Sequence, residues 1–227
     1  MGTSRSSVES NLARATNIFH QNSNLALEMT LCEKHLAALY LREGNIATAK
    51  SLFEKCIKLF PQHHGTISFC LEQLANGSCW DAHHQVSHWT TVFLVHSLKS
   101  KQRLGIHKAL QFLGDKFLAN DEETAMSLYI VALEGFSWMD VHRSRAECLL
   151  RLGDISKAHG DLFKAVEHWQ TARPFFKRSS QAKQVEEVDK RLAAIGEDVL
   201  EQHRKNLVCL VELNVPSGAV KEQKEVL

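Results

Sequence analysis

Proline is scarce in this chain, three among 227 residues, so little stands in the way of long helices. Strand-like alternation is absent, helix formers abound, and the fold class expected is all-α. The formal net charge is only +1 and there is no basic run, which removes the electrostatic footprint of a nucleic-acid or acidic-membrane binder. No apolar stretch reaches membrane length and no signal peptide is evident. The six cysteines, at 32, 56, 70, 79, 148 and 209, show no paired spacing. Free, buried thiols in a reducing compartment are expected, hence a cytoplasmic protein. Gly-x-Ser-x-Gly and the G-x-x-x-x-G-K-[ST] phosphate loop are both missing, so no enzyme activity, nucleophile or cofactor is predicted.

What is present is a recurrent spacing. Leu36, Ala37, Tyr40, Gly44, Ala49, Phe53, Cys56 and Pro61 sit where a helix-turn-helix unit of about 34 residues keeps its packing side chains. A small residue lets two helices approach, and a ring one turn later fills the space beside it. Phe112-Leu113-x3-Phe117 with Ala125-x3-Tyr129-x2-Ala132 repeats the arrangement, as does Leu149-x2-Leu152-Gly153 with Ala165-x3-Trp169-x2-Ala172. Gly160 stands at the turn where the first unit has Gly44, a place that favours positive φ.

This pattern resembles the tetratricopeptide repeat (TPR), with Leu36-Ala37-x2-Tyr40, Ala49-x3-Phe53 and Pro61 matching its signature and Glu33 in place of the usual Trp. The resemblance implies an α-solenoid of antiparallel helix pairs, closed by a C-terminal capping helix pair. Counting 34 back from Ile46, Ala49 and Phe53 reaches Leu12, Ala15 and Phe19. Residues 10–29 therefore read as half a repeat, or as an ordinary capping helix. Full repeats follow at 30–63, 64–105 (irregular), 106–139 and 140–178, the capping helices at 179–213, and loose ends at 1–9 and 214–227. The spacing is uneven: Ala125 to Ala165 is 40 residues, which asks for longer helices or a wider loop. Ala49 to Ala125 is 76, enough for an additional pair near 66–75 and 82–101, separated by the turn Asn76-Gly77-Ser78. Val86, Trp89, Phe93, Val95 and Leu98 are expected on the apolar face of its second helix. Ser179-Ser180 is expected to cap the helix after Trp169, with Val185, Val188, Leu192 and Ile195 inward. Asp121 and Asp140 read as helix starts.

Other features read as structure. Cys79, His83, His84 and His88 include i, i+4 pairs able to hold zinc, but neighbours on a helix diverge by about 100°, so no metal site is predicted. Met1-Gly2-Thr3-Ser4-Arg5-Ser6 fits a myristoylation pattern, and the plainer reading is a polar start.

The TPR resemblance implies a non-enzymatic module that binds a protein partner, as a peptide or helix, in the groove lined by the first helix of each pair. Lys34 occupies the lysine position of a carboxylate clamp, but Ala38 stands where the clamp needs asparagine. Lys34, His35, His107, Gln111, Glu147 and Arg151 are the groove-facing candidates. The alternative is a structural scaffold segment that self-assembles through uncovered apolar residues such as Leu12, Ile18 and Phe19. The run 145–176 looks like TPR arrays of mushroom-forming fungi, and the half repeat would suit the tail of a longer array.

Overall fold

A computed structural model of the protein describes residues 3–21, 25–59, 61–76 and 83–196. Among them the regular elements are all α-helices: α1 (Thr3–His20), α2 (Ala26–Arg42), α3 (Ile46–Leu59), α4 (His64–Ala75), α5 (His83–Lys99), α6 (Arg103–Phe117), α7 (Glu122–Trp138), α8 (His142–Ala158), α9 (Leu162–Arg178) and α10 (Ala182–Ala193). Consecutive helices pack as pairs, α2 on α3, α4 on α5, α6 on α7 and α8 on α9, with α1 against α2 and α10 against α9. The fold is an all-α, solenoid-type stack of TPR-like helix pairs. The chain divides between Met139 and Asp140 into two compact units. That division lies inside the stretch 10–178 read from sequence as one array, at a boundary between repeats. In the first unit α2 also touches α4, and α4 touches α6, so the first helices of three pairs form a row.

Three of the pairs, α2–α3, α6–α7 and α8–α9, are held by one contact used repeatedly. Ala49, Ala125 and Ala165 are fully buried, as are Phe53, Tyr129 and Trp169 one turn later. The opposing helix contributes Ala37, Gly114 or Gly153. A β-carbon on Gly114 would lie 2.7 Å from Tyr129 Cε1, and one on Gly153 would run into the Trp169 indole. Each polar tip is satisfied on the facing helix: Tyr129 Oη donates to Asp115 Oδ1 at 2.7 Å, and Trp169 Nε1 to Asp154 Oδ1 at 3.2 Å. Burying such a ring contributes on the order of 2–3 kcal/mol. Leu36, Phe112 and Leu152 are buried, while Tyr40 is half-buried. Phe117 departs from the packing role expected of it: it is the last residue of α6 and 41% exposed.

The turns repeat as well. Gly44, Lys101, Gly160 and Ser180 adopt φ between 55° and 79°. After each, the next N–H donates five residues back at 2.9 Å: Asn45 to Tyr40, Gln102 to Ser97, Asp161 to Ser156 and Gln181 to Phe176. This is the Schellman ending, which satisfies carbonyls the helix leaves open. Because α7, α8 and α9 each hold 17 residues and three-residue turns follow them, one helix plus turn takes 20 and a pair takes 40. Longer helices, not a wider loop, account for the stretched spacing.

Several expectations are corrected. Ser179 and Ser180 do not cap α10. Ser180 is the left-handed turn residue, Ser179 Oγ donates back to Phe175 O, and the residue before α10 is Gln181, without a side-chain cap bond. Asp140 likewise takes φ 54° and leaves Val141 to start α8, whereas Asp121 does cap α7, accepting from Thr124 N at 3.0 Å. Residues 3–9, expected to be loose, belong to α1; no Gly or Pro lies between Thr3 and His20 to stop a helix propagating backward. On α5, Phe93 is buried and Trp89 packs beside it, but Val95 and Leu98 are 43% and 53% exposed. Val95 lies two residues past Phe93, so the helical period turns it to the other side; Thr90 and Ser97 take the buried places. Val188 is buried on α10 and Ile195 just beyond its end, while Val185 and Leu192 are half-buried. The turn residues Gly77 and Ser78, the capping helix at 197–213 and the tail at 214–227 lie outside the described residues.

Candidate partner-binding site

The row α2–α4–α6 is stitched by polar and aromatic contacts. Lys34 Nζ stands 5.1 Å over the ring of Phe69, and the His35 ring is tilted against the same ring at 6.3 Å. Burial, and then the neighbouring Lys34 charge, hold the His35 pKa below its usual value. Between α4 and α6, Ser68 Oγ donates to Gln102 Oε1 at 2.7 Å, and Lys108 Nζ donates to Glu72 Oε1 at 2.6 Å. The Trp slot of the first repeat holds Glu33, 3% exposed, whose Oε1 accepts from Lys55 Nζ of α3 at 2.6 Å.

The six groove candidates separate by environment. Lys34 and His35 meet over Phe69, on the seam between α2 and α4. His107 lies against α7: its ring is 6.1 Å from that of Phe136, and a β-carbon on Gly135 would strike it. Its Nδ1 is sealed from solvent without a hydrogen-bond partner. Gln111 is 5% exposed. On α8, Glu147 Oε1 accepts from Arg143 Nε at 2.9 Å, and Arg151 is half-buried one turn on.

Phe69, Ser68 and Gln102 were missed from the sequence. The register itself carried the signal: Phe69 stands 34 residues after His35, Ser68 after Lys34 and Gln102 after Ser68.

Among the described residues no group of three or more His, Cys, Asp or Glu side chains could hold a metal ion. The side chains of Cys79, His83 and His84 lie outside the described residues, while the His88 ring packs edge-on to Trp89 at 5.3 Å. Cys56, Cys70 and Cys148 are buried free thiols and Cys32 is half-buried and free. Cys56 Sγ donates to Thr30 O at 3.7 Å. The hydrogen bond with Cys56, and then burial, push the Cys70 thiol up. His63 caps α4, its Nδ1 accepting from Thr66 N at 3.2 Å. No described helix is long and apolar enough to cross a membrane.

Residues 35–63 match the family described as the tetratricopeptide repeat. The matched stretch runs from the Phe69-facing side of α2 through α3, so it includes Ala37, Ala49 and Phe53. The Gly153–Trp169 and Gly114–Tyr129 contacts reproduce in later pairs what Ala37 and Phe53 do inside this tetratricopeptide stretch. No curated protein sequence matches the chain significantly. Solved structures do. BtubC (BKLC) from P. vanneervenii is 15% identical, with 90% of this chain and 92% of that chain covered, at a TM-score of 0.61. The apo form of RapI is 16% identical, covering 79% of this chain and 67% of that one, at a TM-score of 0.64. At these identities the likeness is one of fold.

Proposed function

We propose that this protein is a non-enzymatic protein–protein interaction module, holding a peptide or partner helix along the face formed by its first helices. The observation that carries this reading is the row α2–α4–α6, a continuous set of first helices joined at Phe69 and at Glu72–Lys108. The tetratricopeptide match over residues 35–63 covers the start of that row. A few anchors would supply affinity and polar positions the selectivity. Lys34 and His35 are the primary contacts in the first unit, with Glu147 and Arg151 as the corresponding positions on α8. Buried Gln111 and the α7-facing His107 act as supports. The buried free thiols favour a reducing, cytoplasmic setting. The likeness of 145–176 to arrays of mushroom-forming fungi makes such an organism our proposed source.

Affinity capture with the intact protein, set beside a Lys34→Glu/Arg151→Glu variant, tests the face. Partners retained by the native protein should be lost by the variant. Equal recovery of every partner by both would refute this choice of surface.

A self-assembling scaffold is the second reading, favoured by α7, where Ile130 and Val131 are each 50% exposed and Trp138 is 84% exposed. Light scattering separates the two: a monodisperse monomer at high concentration removes self-assembly.

A further inference from the structure

Phe175 on α9 gathers three basic side chains. Arg145 of α8 lays its guanidinium over the ring with Cζ 4.2 Å from the centroid. Arg178, in the last turn of α9, brings its Cζ to 5.9 Å, and the His142 ring is tilted against Phe175 at 5.7 Å. Arg145 Nε is closed off from solvent and has no hydrogen-bond partner. The nearby acids do not bridge the two guanidinium groups: Asp140 Oδ1 lies 3.3 Å from His142 Nδ1 at the edge of the cluster, Glu147 receives Arg143, and Asp189 of α10 is held by both ends of the Arg173 fork. Lys177 adds a further positive charge in the same turn.

Stacking occupies the flat face of a guanidinium, so a planar acceptor is gripped along its edge, by the terminal N–H groups. Two guanidinium groups on one ring, with no carboxylate bridging them, repel one another unless an anion joins them. A carboxylate matches the fork bidentately. A nucleic acid would ask for an extended basic stripe, and the chain has none. We propose that Phe175, with Arg145, Arg178 and His142 around it, is a docking point for the carboxylate of an acidic peptide. It stands at the ends of α8 and α9 and does not depend on the first-helix face proposed above.

The test uses the full chain, a fluorescein-labelled, end-blocked hexaglutamate peptide and its hexaglutamine counterpart, followed by anisotropy at low salt and by the arginine Nε–H signals in NMR. The hexaglutamate probe should bind and shift the Arg145 Nε–H resonance. Arg145→Gln should weaken binding about tenfold or more, as expected for losing a charge-assisted fork. Arg178→Gln, a change at an exposed side chain that leaves the core untouched, should weaken it severalfold. Lys190→Gln on α10, a like charge change away from the ring, should leave it unaltered. Equal binding of hexaglutamine, an unmoved Arg145 signal, or undiminished affinity in both arginine variants would overturn the proposal. So would displacement by free phosphate at concentrations matching the peptide, or binding of an oligothymidylate in preference to it.

Discussion

A β-carbon at position 153 would collide with the Trp169 indole, and this sets the sign of a substitution that helix propensity alone would misjudge. Gly→Ala in an exposed helix gains roughly 0.5–1 kcal/mol. Here the ring is fully buried and its N–H is bonded to Asp154, so it cannot swing aside without losing both. Gly153→Ala should therefore cost about 1–3 kcal/mol, the range for overpacking, read from urea unfolding. A gain in stability would contradict the close approach. Glu33 offers a second test. Lys55→Met leaves a buried carboxylate unpaired, and its Oε2 already lacks a partner. Lys55 is 46% exposed, so solvent screens the pair and the loss should be modest, about 1–3 kcal/mol. Glu33→Leu/Lys55→Met should recover most of it, and no recovery would show that the ion pair is not what the site needs.

At the scale of elements, the turns decide where each helix stops. Lys101 spends an exposed, positive-φ position on a residue whose β-carbon disfavours it, while Gly44 and Gly160 fill equivalent places without that cost. Lys101→Gly should raise stability by roughly 0.5–1 kcal/mol, seen as a higher urea midpoint with an unchanged slope. A fall would mean the Lys101 side chain matters more than its backbone. The helix pairing itself was legible in the sequence because a small residue and a ring one turn apart can be seen locally. What was not legible depends on partners far along the chain. Whether Ser180 or Lys101 takes the left-handed position cannot be read from their types, since the Schellman bond made by the following N–H closes on backbone five residues earlier. Val95 and Leu98 look as apolar as Phe93, yet the helical period carries them off the buried face, and which face of α5 is buried is set by its neighbours. Among the site residues, Lys34 could be picked by register, but that Phe69 lies beneath it, or that Gln111 is buried, follows from the packing of α2, α4 and α6.

At the scale of the molecule, partly desolvated histidines tie stability to pH. Burial is the leading cause that lowers the pKa values of His35, His96 and His168 below the ordinary 6.5. Their folded forms prefer to stay neutral, so the unfolded chain binds protons first as pH falls. The stability they contribute is complete above about pH 6.5 and is lost as pH drops through the folded values. The urea midpoint should hold level from pH 8 to 7 and decline below about 6.5, well before the carboxylates of Glu186 and Asp189 titrate. A midpoint that rises between pH 7 and 5.5 would contradict this assignment.

The account as a whole depends on one small-residue-and-ring contact recurring through the helix pairs. Ala37 with Phe53 is the tolerant version, since both are fully buried in one cluster and an alanine fits beside phenylalanine there. The double-mutant cycle of Gly153→Ala and Trp169→Phe is thus the most direct test. If position 153 with 169 is the equivalent of 37 with 53, the alanine should be far less harmful beside phenylalanine than beside tryptophan, with a coupling energy of about 1 kcal/mol or more. Strictly additive losses in urea unfolding would mean that the two places are not equivalent and that the repeat is only apparent.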